Sequence, residues 1–232
     1  MKKAGRLARF DDRELFHGFS EEQASHILSL GKPRVVEPGR FFFRQGEASR
    51  HLYFLESGRV KIYQVTGSGR QALMRFVLPG QVFGFDGLLP SESYATSAEA
   101  TEPSRALTWK RDVLQRLLHN NARFATNLLM MTADCLNSLR EMYIYHTTQA
   151  VESRIAWALI KLGQQIGTKS SDPLLIPEDS IQKDLADLAG TTIYTVSRVL
   201  SNWEREGTIT KSRGRIVVYH PSKITELAQN LA

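Results

Sequence analysis

Apolar residues change their spacing from segment to segment along the chain, and each spacing predicts a different kind of element. Residues 20–31 open with Ser20, Glu21 and Glu22 and close on Gly31, which predicts a short helix capped by Ser20. From 33 to 109 the apolar runs are short: Phe41-Phe-Phe43, Leu52-Tyr-Phe-Leu55, Val60-Lys-Ile-Tyr63 and Ala72-Leu-Met-Arg-Phe-Val-Leu78. Turn signals at Pro38-Gly39, Gly46, Gly58, Gly67-Ser-Gly69, Pro79-Gly80 and Gly84 separate them. Regularly interrupted short strands predict an antiparallel sandwich, roll or jelly roll. Residues 112–146 contain neither Gly nor Pro and predict one long helix. Its apolar seam steps by three and four through Leu114, Leu117, Asn121, Phe124, Leu128, Met131, Cys135, Ser138, Met142 and Tyr145. Such a seam suits a parallel coiled coil between two copies, with Leu114, Leu117, Phe124, Leu128, Met131, Cys135 and Met142 at the interface. Burial of the helix against its own domain satisfies the same seam.

Residues 150–167 predict a further amphipathic helix ending at Gly167, and 168–179 read as a polar linker. The segment Ser180–Gly190 predicts a short helix with Ile181, Leu185 and Leu188 inward, leaving at Gly190 by a tight turn. In the next helix Val196, Val199, Leu200 and Trp203 share one face, while Tyr194, Ser197, Arg198, Ser201 and Arg205 share the other. Hydroxyl and guanidinium groups on an exposed helix face suit phosphate oxygens and guanine edges in a DNA major groove. Two helices about a glycine turn predict a helix-turn-helix with the second helix reading DNA. Residues 208–219 then read as two strands around Arg213-Gly214, a wing with a basic tip.

The net charge of +6 over 232 residues favours an acidic partner, but residues 148–232 hold ten Lys+Arg against nine Asp+Glu. DNA binding therefore rests on where the cations stand, at Lys183, Arg198, Lys211, Arg213 and Arg215, more than on bulk charge. No apolar run is long enough to span a membrane, and no apolar core follows the basic N-terminus as in a secretory signal. The single Cys135 fits a reducing cytoplasm and excludes an intrachain disulfide or cysteine metal cluster. The histidines at 17, 26, 51, 119, 146 and 220 are scattered, without the clustered ligands that a cupin-like metalloenzyme needs. No enzyme, metal or cofactor is expected.

The order of these elements, with their motifs, resembles the CRP/FNR family of bacterial regulators (the cyclic-AMP receptor and fumarate–nitrate reductase regulators) from about residue 20 to 225. Leu185-Ala-Asp-Leu-Ala-Gly190 and Thr195-Val-Ser-Arg-Val-Leu200 carry the likeness in the DNA-binding part. Pro38-Gly39, Gly46-Glu47, Tyr53-Phe-Leu-Glu-Ser-Gly58, Val60-Lys-Ile62 and Leu78-Pro-Gly-Gln-Val-Phe-Gly84 carry it in the cyclic-nucleotide-binding-like part. The resemblance implies an α+β protein: an N-terminal antiparallel β-roll (a jelly roll) over 1–111, a long dimerisation helix over 112–146, and a C-terminal winged helix-turn-helix over 147–232. It implies a homodimer on a two-fold symmetric operator in double-stranded DNA, acting with RNA polymerase in the cytoplasm.

By the same resemblance Arg198 falls on the arginine that reads guanine, and Ser197 on a serine that helps choose a neighbouring base. Tyr194 stands where a base-reading glutamate is usual, so the usual half-site core is not expected. Ile193 occupies a position that contacts a base in one branch, although its helical phase leans it toward the core. Lys183, Thr192, Thr195, Lys211, Arg213 and Arg215 are phosphate candidates. In the roll, Phe85 replaces the glutamate and Tyr94 and Ala95 replace the Arg and hydroxyl that hold a cyclic phosphate, while Asp86 adds a like charge. A buried phosphate without its cation is costly, so cyclic AMP is not expected. Two readings of the roll stay open. Phe83, Phe85, Asp86, Tyr94 and Ala95, with Leu139, Arg140 and Tyr143 from the long helix, hold another effector; or the aromatic residues merely fill the roll. Regulation through oxidation of Cys135 is a further alternative.

Overall fold

The computed structural model describes residues 14–89, 92–166, 174–177, 181–212 and 215–229. They form two compact units, one within residues 14–65 and 75–137, the other within 66–74 and 138–229.

Two antiparallel four-stranded sheets belong to the first unit, apart from residues 71–74 in an edge strand of the second sheet. Lys32–Val36 (β1), Ser104–Lys110 (β8), His51–Ser57 (β3) and Val82–Phe83 (β6) form one in that order. Phe41–Phe43 (β2), Ser97–Ala100 (β7), Val60–Val65 (β4) and Gln71–Val77 (β5) form the other. The strands that read as near-continuous apolar runs are those buried along most of their length: Leu52, Tyr53, Phe54 and Leu55 in β3 are at most 1 % exposed. The helix Glu21–Ser29 (α1) starts as its sequence requires, with Ser20 and Gln23 exchanging side-chain-to-backbone hydrogen bonds in a capping box. Trp109 ties it to the roll, its indole N–H donating to the Ile27 carbonyl at 3.1 Å.

The single helix expected over 112–146 is two helices, Arg111–Asn120 (α2) and Ala122–Thr148 (α3). Asn121 breaks it: its backbone is extended (φ −137°, ψ 90°), and its side-chain oxygen accepts from the Phe124 amide at 3.0 Å. An asparagine can sit in a heptad seam, but its short polar side chain also caps a new helix. Much of the seam is buried within the chain itself. Leu114, Leu117, Phe124, Leu128 and Met131 are at most 8 % exposed and join Leu15, Phe16, Ile27 and Trp109 in one core. Apolar side chains already covered by their own domain have no surface left for a second copy. Asn127 donates to the Leu15 and His17 carbonyls at 3.0 Å each, fastening the N-terminal segment to the same helix. Cys135 and Met142 are half-buried. The exposed apolar residues of α3 lie on another stripe, which includes Leu129, Leu136 and Tyr143.

In the second unit Val151–Ile166 (α4) packs on Ile181–Ala189 (α5) and on Pro221–Gln229 (α7), a helix the apolar pattern did not bring out. Ile193–Arg205 (α6) follows α5. Ile209–Ser212 (β10) and Arg215–Val218 (β11) pair antiparallel as expected for a wing, with Ser212 opposite Arg215. The region read as a linker holds a third strand, Leu174–Pro177 (β9), paired to the other edge of β11. Its Leu-Leu-Ile run supplies the β-compatible residues that a polar composition around it concealed.

Candidate nucleic-acid interface and the interior of the roll

The helix α6 is held at both ends and along one side. At its start Thr192 is the N-cap, its hydroxyl accepting from the Thr195 amide at 3.2 Å. The chain arrives there through Gly190, whose φ of +61° lies in the left-handed region that glycine adopts at least cost. A side chain at 190 would also meet the His146 ring at 2.7 Å. His146 Nε2 in turn lies 2.9 Å from the Leu188 carbonyl, so the end of α3 backs the end of α5 and the entry to the turn. Along the inner side Val196, Val199, Leu200 and Trp203 are at most 6 % exposed. The Trp203 indole N–H donates to Glu152 Oε1 on α4 at 2.9 Å, fixing the helix in rotation as well as depth.

The outer side has the opposite character. Tyr194 is 88 % exposed and Ile193 47 %, so Ile193 does not lean inward as its helical phase suggested. Ser197 is half-buried and Arg198 exposed. Among the described residues neither Tyr194 nor Arg198 has a hydrogen-bond or ion-pair partner. The first turn of α6 contains no acidic residue, and a helix N-terminus favours negative charge.

The phosphate candidates divide. Lys183 on α5 and Arg215 on β11 are exposed. Thr192 and Thr195 face each other, hydroxyl to hydroxyl at 3.0 Å, and serve the cap. Lys211 is engaged within the fold: its amide donates to Glu204 Oε1 at 2.9 Å, and its ammonium donates to Ser201 Oγ at 3.3 Å and lies 3.7 Å from Glu204 Oε2. It fastens the wing to α6. Arg213 lies outside the described residues. Glu152, Glu204 and His146 were missed from sequence because nothing in their spacing marks them; Glu152 and His146 act on elements distant in sequence, and Glu204 on the strand that follows its helix.

The roll is filled. Phe42, Phe43, Tyr53, Phe83 and Tyr94 are each at most 2 % exposed, with Tyr94 stacked on Phe43 at 3.8 Å and Tyr53 on Phe83 at 5.0 Å. The Tyr94 hydroxyl donates to the His51 carbonyl at 2.8 Å and accepts from the His51 amide at 3.1 Å. Burial raises the Tyr94 pKa, and burial likewise raises that of Tyr53 against the opposing pull of Arg34. Burial, with Arg34 adding to it, lowers the His51 pKa.

Phe85 and Asp86 belong to a 3-10 turn, Phe85–Gly87, in which Phe85 packs partly buried against the core and Asp86 is half-buried. This turn is pressed onto β3, since a side chain at Gly87 would meet the His51 carbonyl oxygen at 2.2 Å. Arg111 anchors it, donating from Nε to the Gly87 carbonyl at 3.2 Å. Ala95 is exposed. Leu139, Arg140 and Tyr143 are exposed on α3 and belong to the second unit. The residues that would have to bind a cyclic nucleotide therefore do not fit one. Position 85 is a phenyl ring, and the tyrosine at 94 has its only polar atom bonded to backbone.

The family model for a cyclic nucleotide-binding domain matches residues 33–121, and that for a Crp-like helix-turn-helix domain matches 153–227. The chain is 30% identical over 218 residues to the cyclic AMP receptor protein of Thermus thermophilus, covering 94% of this chain and 98% of that one. It is 29% identical over 200 residues to the nitrogen fixation regulation protein FixK of Azorhizobium caulinodans, covering 86% and 79%. Among solved structures it is similar to FixK2 from Bradyrhizobium japonicum, with a TM-score of 0.75 at 23% identity over 87% of this chain and 99% of that one. This last likeness concerns the fold.

Proposed function

The chain belongs to the CRP/FNR family of transcription regulators, and from that premise we propose that it works as a homodimer reading a two-fold symmetric DNA site without cyclic AMP. DNA-binding transcription regulation, and not enzymatic catalysis, is what membership and the Crp-like helix-turn-helix establish. Among the described residues no helix is long and apolar enough to cross a membrane. We assign the action to the cytoplasm, on double-stranded DNA and with RNA polymerase as a further partner.

The observation that carries the reading is the two-sidedness of α6: a buried face locked by Trp203–Glu152, and an exposed face bearing Ile193, Tyr194, Ser197 and Arg198. Arg198 takes the bidentate guanine contact. Lys183 and Arg215 contact phosphates, with Arg213 as a further candidate, and these contacts set register without reading sequence. For the dimer, the seam moves to the exposed stripe of α3. Leu129, Leu136 and Tyr143 stand seven apart, with Leu139 between the last two, and are 69 %, 67 %, 69 % and 37 % exposed. That spacing is what a second copy of the same helix covers in a two-stranded coiled coil.

An effector other than a cyclic nucleotide would use Arg140 and Tyr143, whose polar groups are exposed, with Leu139 beside them, because the Tyr94 hydroxyl is already bonded to the His51 backbone. A regulator governed by its own abundance needs no effector at all, and the filled roll favours that form.

Selection of bound duplexes from a random pool tests the proposal. The expected product is an inverted repeat with half-sites one helical turn apart, recovered with and without cyclic AMP. Recovery of no symmetric motif contradicts the dimeric reading.

A further inference from the structure

The first turn of α6 leaves two large, mainly apolar side chains exposed. Ile193 and Tyr194 are 47 % and 88 % exposed, while the buried face of the helix begins only at Val196. The preceding turn is already complete without them, through Gly190, the Thr192 cap and the His146 contact. Exposed apolar groups at the tip of a DNA-reading helix have a restricted set of complements. Every base-pair edge in the major groove is a row of donors and acceptors except for one apolar group, the C5 methyl of thymine. A phenol offers a single rotatable hydroxyl and no carboxylate, so it cannot reward the cytosine amino group as Glu or Asp does.

Resting on the assignment of α6 as the DNA-reading helix, we propose that Ile193 and Tyr194 form a thymine-selecting edge beside the guanine read by Arg198. Arg198 stands four residues after Tyr194, a rise of roughly 6 Å along the helix. Successive bases on one strand are about 3.4 Å apart. The selected thymine therefore lies within about two base pairs of the guanine. The absence of acidic residues from this turn keeps it compatible with the phosphates that flank such a contact.

Deoxyuridine tests this directly, because it removes the methyl and nothing else. In the DNA site selected by the wild-type protein, each thymine is replaced in turn by deoxyuridine and binding is measured by anisotropy. One position per half-site loses about fourfold in affinity for each methyl removed. The loss disappears in Tyr194→Ala combined with Ile193→Ala, and circular dichroism verifies that the fold of that variant is unchanged. In a parallel selection Tyr194→Glu shifts the preference at that position toward cytosine. Tolerance of deoxyuridine at every position, or an equal loss in the double variant, overturns the thymine edge while leaving the guanine contact standing. In that case the Ile193–Tyr194 face is left for a protein partner. A wild-type selection without any base preference removes the DNA-reading assignment itself.

Discussion

In the roll, Tyr94 is 2 % exposed, stacked on Phe43 and bonded through its hydroxyl to both polar atoms of the His51 backbone. On α6, Tyr194 is 88 % exposed and has no polar partner among the described residues. The same side chain thus completes an interior in one unit and is left uncommitted in the other. The contrast extends to the cations: Arg111 is drawn into the backbone of the 3-10 turn, whereas Arg198 on α6 has no such tie among the described residues. A region whose polar groups are matched within the chain has little left for a ligand, because a newcomer must break bonds to make its own. A region held rigid from behind, with unmatched groups in front, is prepared for one.

The largest effect that could break this contrast is on stability. Tyr94→Ala should cost about 3–5 kcal/mol in urea unfolding, as for other large buried aromatic truncations. Tyr194→Ala should change stability by less than about 0.5 kcal/mol. Similar losses from the two would erase the distinction. Arg198→Ala should leave unfolding unchanged and cost about 1–3 kcal/mol of binding per half-site, with relaxed preference at one guanine. Uniform weakening across all sequences would make Arg198 a phosphate contact instead.

Smaller effects sharpen how α6 is held. Thr192→Ala removes the cap and should cost about 1 kcal/mol of stability at unchanged m-value. The smallest expected effect is on pH dependence. Burial, then Arg34, depresses the His51 pKa in the folded protein. As pH falls, the unfolded chain takes up that proton first, so stability present at neutral pH is lost below about 6.5. His51→Gln should show a shallower fall in melting temperature between pH 7.5 and 5.5; an unaltered slope would mean that the imidazole is not held neutral.

Much of this contrast was legible in the sequence, and the rest was hidden for physical reasons. The buried face of α6 could be read from Val196, Val199, Leu200 and Trp203 because helical period alone fixes which residues turn inward. The replaced pocket residues Phe85 and Tyr94 were visible as residue types, but not that Tyr94 would bond to His51, since a contact over that separation has no local signal. The seam of α3 was open to two readings, a second copy or its own domain, because two apolar stripes share its seven-residue period. Periodicity says that a stripe is covered and does not say by what: the stripe with Leu128 and Met131 is covered by its own roll, and the one with Leu129 and Leu136 is left exposed. Asn121 hid a helix break inside that period. Ile193 was read inward because helical phase takes no account of the helix end, where the core no longer reaches.

The pairing of a packed roll with an uncommitted reading face is tested most directly by a binding isotherm on the selected DNA site with and without saturating cyclic AMP. The account predicts tight binding in the absence of nucleotide and a curve that does not move on its addition. Binding that emerges only with cyclic AMP, or tightens more than about tenfold (roughly 1.4 kcal/mol of coupling), would contradict it.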